Sequence, residues 1–128
     1  MKFLMDTHAF LWFIEGDENL SHTARSIIED NQHKKQLSIA SLWEISIKAS
    51  LKRLELKTTF PELVQNHIYG NNFDILAIYP EHLEKLKTLT FHHKDPFDRL
   101  IIAQSLVENM IIITKDSLFK NYTNKLLW

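Results

Sequence analysis

Short apolar runs alternate along the chain with segments in which apolar residues return every three or four positions. Lys2–Met5 is a compact apolar run halted by Asp6, and it reads as a first strand. Thr7 is placed to cap His8–Ile14, a short helix stopping near Gly16, and Ser21 is a good N-cap for a second helix through about Asn31. Gln36–Ala40, with β-branched Ile39, reads as a second strand. Ser41 then opens a helix to about Arg53. In it Trp43, Ile47, Leu51 and Leu54 fall at helical spacing, and Leu42, Ile45 and Ala49 widen the apolar face.

Thr59, Phe60 and Pro61 start another helix, which ends near Gly70; proline suits a first turn, where its missing N–H has no helical partner to lose. Phe73–Ile78 is a third strand, and Pro80–Leu89 a short amphipathic helix. Asp95 and Pro96 open a long helix to about Asn109 that is apolar over much of its circumference, as a buried helix is. Met110–Thr114 is the clearest strand; Asp116 follows, then a short helical turn, and Lys125–Trp128 suits a last edge strand. Strands alternating with helices predict an α/β fold with a mainly parallel sheet, in one domain over residues 1–128.

Composition narrows the chemistry. With no cysteine there is no disulfide, thiolate metal site or thiol nucleophile, and the lack fits a reducing, cytoplasmic setting. Gly16 and Gly70 are the only glycines, so there is no glycine-rich phosphate loop. No apolar run approaches the about 20 residues of a membrane helix, and Asp6 and His8 interrupt any signal-like N-terminus. Seven histidines form no zinc spacing such as HExxH, and no Ser–His–Asp grouping stands out. Carboxylates remain.

In a parallel α/β sheet, ligands sit outside the carboxyl ends of the strands. Asp6 follows the first strand, Glu44 lies one turn into the helix after the second, and Asp116 sits just past the Ile-rich strand. Asp98 joins them, because its helix starts at the same rim. Each acid also has an ordinary reading. Glu44 completes a capping box with Ser41 and pairs with Lys48 at i,i+4; Asp98 favours a helix dipole behind the Asp95 cap; Asp116 caps the next turn. Asp6 is hardest to dismiss, since a charge closing an apolar strand needs water or a partner. Four close carboxylates require a counter-charge, and Mg²⁺ or Mn²⁺ supplies it through oxygen ligands. Such ions suit hydrolysis of a phosphodiester.

Four stretches carry a resemblance: MDTHAFLW around Asp6, SIASLWEISIK around Glu44, HHKDPFDRLIIAQS around Asp98 and IIITKD ending at Asp116. In this order the chain resembles the PIN-domain ribonucleases, specifically the VapC-like toxins of toxin–antitoxin pairs. The resemblance implies a PIN-like three-layer sandwich with four or five parallel strands between helices. It implies metal-dependent cleavage of RNA leaving 5′-phosphate and 3′-hydroxyl ends, with Asp6, Glu44, Asp98 and Asp116 as the acids that hold Mg²⁺, or Mn²⁺. It further implies a protein antitoxin as partner, and a homodimer. DPFD offers two acids; Asp98, inside the helix, is the expected ligand, and Asp95 keeps the cap with a possible outer contribution. Thr114 and Thr7 are expected as supporting hydroxyls.

His92 and His93 read as loop residues outside the metal shell, and His8 as pointing elsewhere. Arg99 reads as a residue for structure or phosphate contact near the site, and equally as an ion-pair partner of a neighbouring acid. Trp12, Trp43 and most phenylalanines read as core. Two other functions fit less well. A non-catalytic PIN-like module that binds RNA or protein gains nothing from an acidic pocket. A phosphoacceptor signalling domain wants its acids and lysine differently placed. Without its four acids the chain has twelve acids against fifteen bases, so its near-neutral total hides an acidic pocket in a mildly basic body.

Overall fold

The computed structural model describes residues 1–128. Strands β1 (Lys2–Met5), β2 (Lys34–Ser38), β3 (Phe73–Leu76), β4 (Ile111–Ile113) and β5 (Leu126–Leu127) form one sheet in the order β3-β2-β1-β4-β5. Every neighbouring pair is parallel. The helices are α1 (Thr7–Glu15), α2 (His22–Glu29), α3 (Ile39–Ser50), α4 (Phe60–Glu62), α5 (Pro80–Thr88) and α6 (Pro96–Glu108). None is long and apolar enough to cross a membrane.

The pleat explains the three layers. Phe3, Met5 and Ile113 pack with Ala9 and Phe10 of α1 and Ile28 of α2, while the intervening Leu4 and Ile112 pack with Leu100, Ile101 and Ile102 of α6. Successive strand residues therefore enter opposite cores, and a strand covered on both faces must be apolar throughout. Full burial of such a side chain contributes roughly 1.5–3 kcal/mol, more than the chain's exposed ion pairs supply. The long helix is as buried as its pattern requires, with Arg99 through Ser105 all inside. Gln104 ties it to the sheet, accepting the Ser38 hydroxyl at 2.5 Å and donating to the Ala77 carbonyl at 3.2 Å.

Several boundaries differ from the sequence reading, each for a local reason. The second strand runs over Lys34–Ser38 rather than 36–40, so two lysines lie within it. Lys35 is buried because carbonyls at the end of α2 accept its ammonium, Ile28 at 2.5 Å and Asp30 at 3.4 Å. Ser38, not Ser41, caps the next helix, accepting the Ala40 amide at 2.9 Å. The Ser41–Glu44 capping box therefore does not form; Ser41 is buried and its hydroxyl accepts that of Thr7 at 2.8 Å. Likewise Asp6 caps α1, and Thr7 is its first helical residue.

The helix over 39–50 buries Ala40, Leu42 and Ile45, but Trp43 and Leu51 are about half exposed, at 54% and 56%. Trp43 meets Phe97 of α6 edge-on at the surface, centroids 5.1 Å apart, instead of entering the core. The segment after Thr59 starts at its expected cap but widens into a π-helical turn, Leu63–Ile68. It closes through a 3₁₀ turn at Asn72, whose φ of 62° is left-handed, rather than at Gly70. The third and fourth strands are shorter than read, ending at Leu76 and Ile113. The edge strand is only Leu126–Leu127.

The strand order fixes where a site can form. From central β1 the chain moves to β2 on one side, while β4 pairs on the other. Connections that leave in opposite directions open a crevice at the carboxyl ends of β1 and β4. Asp6 and Asp116 follow those two strands.

Candidate metal centre

Asp6 lies where the last amide of β1 turns into α1. Its own amide donates to the Ile113 carbonyl at 3.0 Å, joining it to β4. Its Oδ1 accepts the His8 amide at 3.4 Å, and its Oδ2 accepts the Thr114 hydroxyl at 2.7 Å. The same Thr114 oxygen accepts the Asp116 amide at 3.0 Å, so one hydroxyl sets both acids. Asp116 caps the 3₁₀ turn Ser117–Asn121, its Oδ1 accepting the Leu118 amide at 2.9 Å.

Asp98 occupies the first turn of α6. Asp95 caps that helix, its Oδ1 accepting the amides of Phe97 at 2.8 Å and Asp98 at 3.0 Å. Asp95 thus keeps the capping role read from the sequence, and Asp98 is free to face the rim. Glu44 sits one turn into α3 and is 3% exposed. Lys48 donates to its Oε2 at 2.7 Å, the i,i+4 pair expected from spacing. Its Oε1 is buried with no hydrogen-bond partner.

Asp6, Asp98 and Asp116 line one cleft of about 520 Å³, together with His8, Trp12 and Lys115. Glu44 is not among the residues that line it but acts on Asp98 by charge. Burial, and then Asp6, Asp95, Glu44 and Asp116, push the Asp98 carboxyl up to about 8. Asp6 is also raised, first by burial and least by Asp116, against the opposing pull of Thr114 and His8. A larger hollow of about 590 Å³ lies at the other end of the sheet, around Met1, Lys2 and Asn109, but no carboxylate lines it.

His93 stands inside this cluster, contrary to its sequence reading as a loop residue outside it. Its Nε2 lies 2.8 Å from Asp116 Oδ2 and 3.2 Å from Asp98 Oδ2. Its Nδ1 accepts the Asp95 amide at 3.2 Å, so Nε2 carries the ring proton and donates it. The local signal was a histidine two residues before a capping aspartate, which lets the ring close a turn onto the Asp95 amide.

Two further expectations change, and that for Arg99 is met in its structural part. His8 lines the cleft rather than pointing elsewhere. Arg99, buried beside Asp98, neither pairs with an acid nor faces the cleft. It donates to the carbonyls of Leu89 at 3.2 Å, Thr90 at 3.0 Å and His93 at 3.3 Å, under the ring of Phe91. Thr114 does support an acid, whereas Thr7 turns to Ser41.

The PIN domain family model matches residues 3–125. The chain belongs to the PIN domain family. Among solved structures, this PIN domain is similar to VapBC2 from Rickettsia felis bound to a DNA fragment from its promoter. That match has 16% identity, a TM-score of 0.63, and covers 99% of this chain and 96% of the other. It is also similar to a toxin–antitoxin complex from Klebsiella pneumoniae, with 16% identity, a TM-score of 0.64, and coverage of 98% and 95%. At that identity the matches establish the fold, an α/β PIN-like sandwich. No curated protein matches the chain.

The donor set of this PIN domain fits a hard divalent cation. The cleft offers carboxylate oxygens and no sulfur, its three acids outnumber the one lysine that lines it, and a buried Glu44 oxygen lacks any partner. His93, Asp98 and Asp116 bring one donor atom each within 4.8 Å of one another, Asp6 lines the same cleft, and Glu44 stands outside its lining.

Proposed function

We propose that this PIN domain is a VapC-like toxin: an endoribonuclease dependent on Mg²⁺ or Mn²⁺, held in check by a protein antitoxin. The observation that carries the reading is the unpartnered, buried Glu44 Oε1 beside an Asp98 carboxyl pushed up to about 8. Burial and the neighbouring acids make it costly to ionise Asp98 without a partner, and a bound cation offsets that cost. When bound, the cation supplies Lewis acidity for in-line displacement at phosphorus.

The chain's own residues do the rest. Thr114 fixes the rotamers of Asp6 and the backbone of Asp116. Lys48 neutralises one side of Glu44 and leaves the other for the site. Lys115 lies over the Trp12 ring at 5.9 Å in the same cleft, placing a cation where an incoming phosphate needs one. One of the two matching structures is a toxin–antitoxin complex, which supports an antitoxin for this chain; the homodimer rests on the sequence resemblance alone.

The test is incubation of purified protein with labelled structured and unstructured RNA, in Mg²⁺, Mn²⁺ or EDTA. The expected outcome is cleavage in either metal, leaving 5′-phosphate ends, and none in EDTA or with Asp6→Asn. Retention of RNA without cuts would instead make the chain a binding module.

A further inference from the structure

We propose that His93 is a positioning residue of the acidic centre: its Nε2–H holds the Asp116 and Asp98 carboxylates in the arrangement that receives the cation. The inference rests on the metal reading above. It concerns what orients the acids, which is separate from their ability to bind.

The ring is held on all sides. His93 is 8% exposed, its ring meets Phe119 edge-on with centroids 5.7 Å apart, and its Nδ1 accepts the Asp95 amide at 3.2 Å. Only Nε2 remains to face the carboxylates. While Nδ1 accepts an amide, Nε2 keeps its proton, so His93 serves the metal-binding acids as a donor and is not itself a ligand.

The backbone that carries the ring is anchored by two side chains from elsewhere in the fold. Arg99 of α6 donates to the carbonyls of Leu89, Thr90 and His93. The Tyr122 hydroxyl accepts the His93 amide at 2.7 Å and donates to the Thr90 carbonyl at 2.6 Å. A buried guanidinium one residue from Asp98 would neutralise that acid if it reached it; here it serves the loop instead. With the Leu118 amide on Oδ1 and His93 on Oδ2, both oxygens of Asp116 are oriented. Partners of this kind, which orient ligating groups without binding the ion, typically account for 10- to 100-fold in metal affinity.

The experiment is calorimetric titration of Mn²⁺ into the full chain, with a thermal melt of each variant. His93→Asn keeps an acceptor where Nδ1 stands and removes the Nε2 donor. His93→Gln restores a donor near Nε2 and removes the acceptor. Positioning predicts that Asn weakens Mn²⁺ binding roughly 10- to 100-fold while Gln stays near wild type. A role confined to closing the loop predicts the reverse order. Tyr122→Phe, which frees the His93 amide, is expected to weaken binding in the same direction by less, and it decides the matter if His93→Asn does not fold. Wild-type affinity in His93→Asn, or in Tyr122→Phe where that variant decides, overturns the inference alone, as does Gln binding more weakly than Asn. No Mn²⁺ binding by the wild type overturns the metal reading and this inference with it.

Discussion

Two buried histidines in this protein are wired almost identically. His82 accepts the Tyr79 amide on Nδ1 at 3.1 Å and faces Glu108 from Nε2 at 2.9 Å. His93 accepts the Asp95 amide on Nδ1 at 3.2 Å and faces Asp116 at 2.8 Å. The difference lies beyond the ring. Glu108 is a single carboxylate whose side chain is 35% exposed, so one donor and water satisfy it, and the pair staples α5 to α6. At His93 a second carboxylate, Asp98, competes for the same proton at 3.2 Å, and Asp6 and Glu44 add their charge to it. A histidine–carboxylate bond does not by itself mark a site. An excess of carboxylates over cationic side chains, in a cleft, does.

The comparison can be broken in several ways. The largest expected effect is Asp98→Asn. Metal-dependent RNA cleavage should fall by more than the roughly 100-fold attached to an outer orienting partner, as timed by loss of full-length RNA. The same variant should gain stability in EDTA near pH 8, since a neutral amide ends the repulsion. A loss there would remove the electrostatic account of the rim.

Next is the pH dependence of the metal-free protein. Asp98 releases its proton near 3.8 when unfolded and at about 8 when folded, so the folded state binds the proton more tightly. Its stabilising contribution is full below the unfolded value and is lost as pH rises through the folded one. Urea unfolding in EDTA should therefore show stability from this group declining across that window. Asp98→Asn should flatten the decline, and excess Mn²⁺ should offset it.

A smaller effect sharpens the contrast directly. His82→Asn should cost about 1–3 kcal/mol in urea unfolding, through a lost bond and an underfilled core, and leave Mn²⁺ affinity unchanged. If it weakened Mn²⁺ as His93→Asn is expected to, the two histidines would not differ in role. Smallest is Thr114→Val, which keeps the shape and removes the hydroxyl shared by Asp6 and Asp116. About 1 kcal/mol of stability should be lost, with a modest weakening of Mn²⁺ in the same titration.

Much of the fold was legible because burial on both faces writes itself into composition. Ile111–Ile113 and Phe3–Met5 have no polar residue to place, so only a central parallel strand suits them. Boundaries were less legible wherever a polar residue had two possible partners. Ser38 and Ser41 both look like caps; the helix starts at the first, because the second is used by Thr7. Lys35 reads as a loop residue until the end of α2 is seen to supply its acceptors. Trp43 reads as core by spacing, yet the face of α3 turned inward carries Ala40, Leu42 and Ile45.

Asp6, Asp98 and Asp116 could be expected near one another, since each follows a strand or opens a helix at one rim of a parallel sheet, and they line one cleft; Glu44, farther along α3, stands outside its lining. The sequence alone determined the class of fold, the rim where chemistry is possible, and the absence of thiols or a glycine-rich phosphate loop to perform it. It could not determine what surrounds each acid, because hydrogen bonds between residues as far apart as Thr114 and Asp6 depend on strand order. Only the tertiary structure decided that His93 enters the cluster, that Arg99 stays out of it, and that one oxygen of Glu44 is buried without a partner. The physical reason is that periodicity reports which side of an element is dry. Which polar atoms meet there is set by how elements cross, and a charge is costly or harmless according to that meeting.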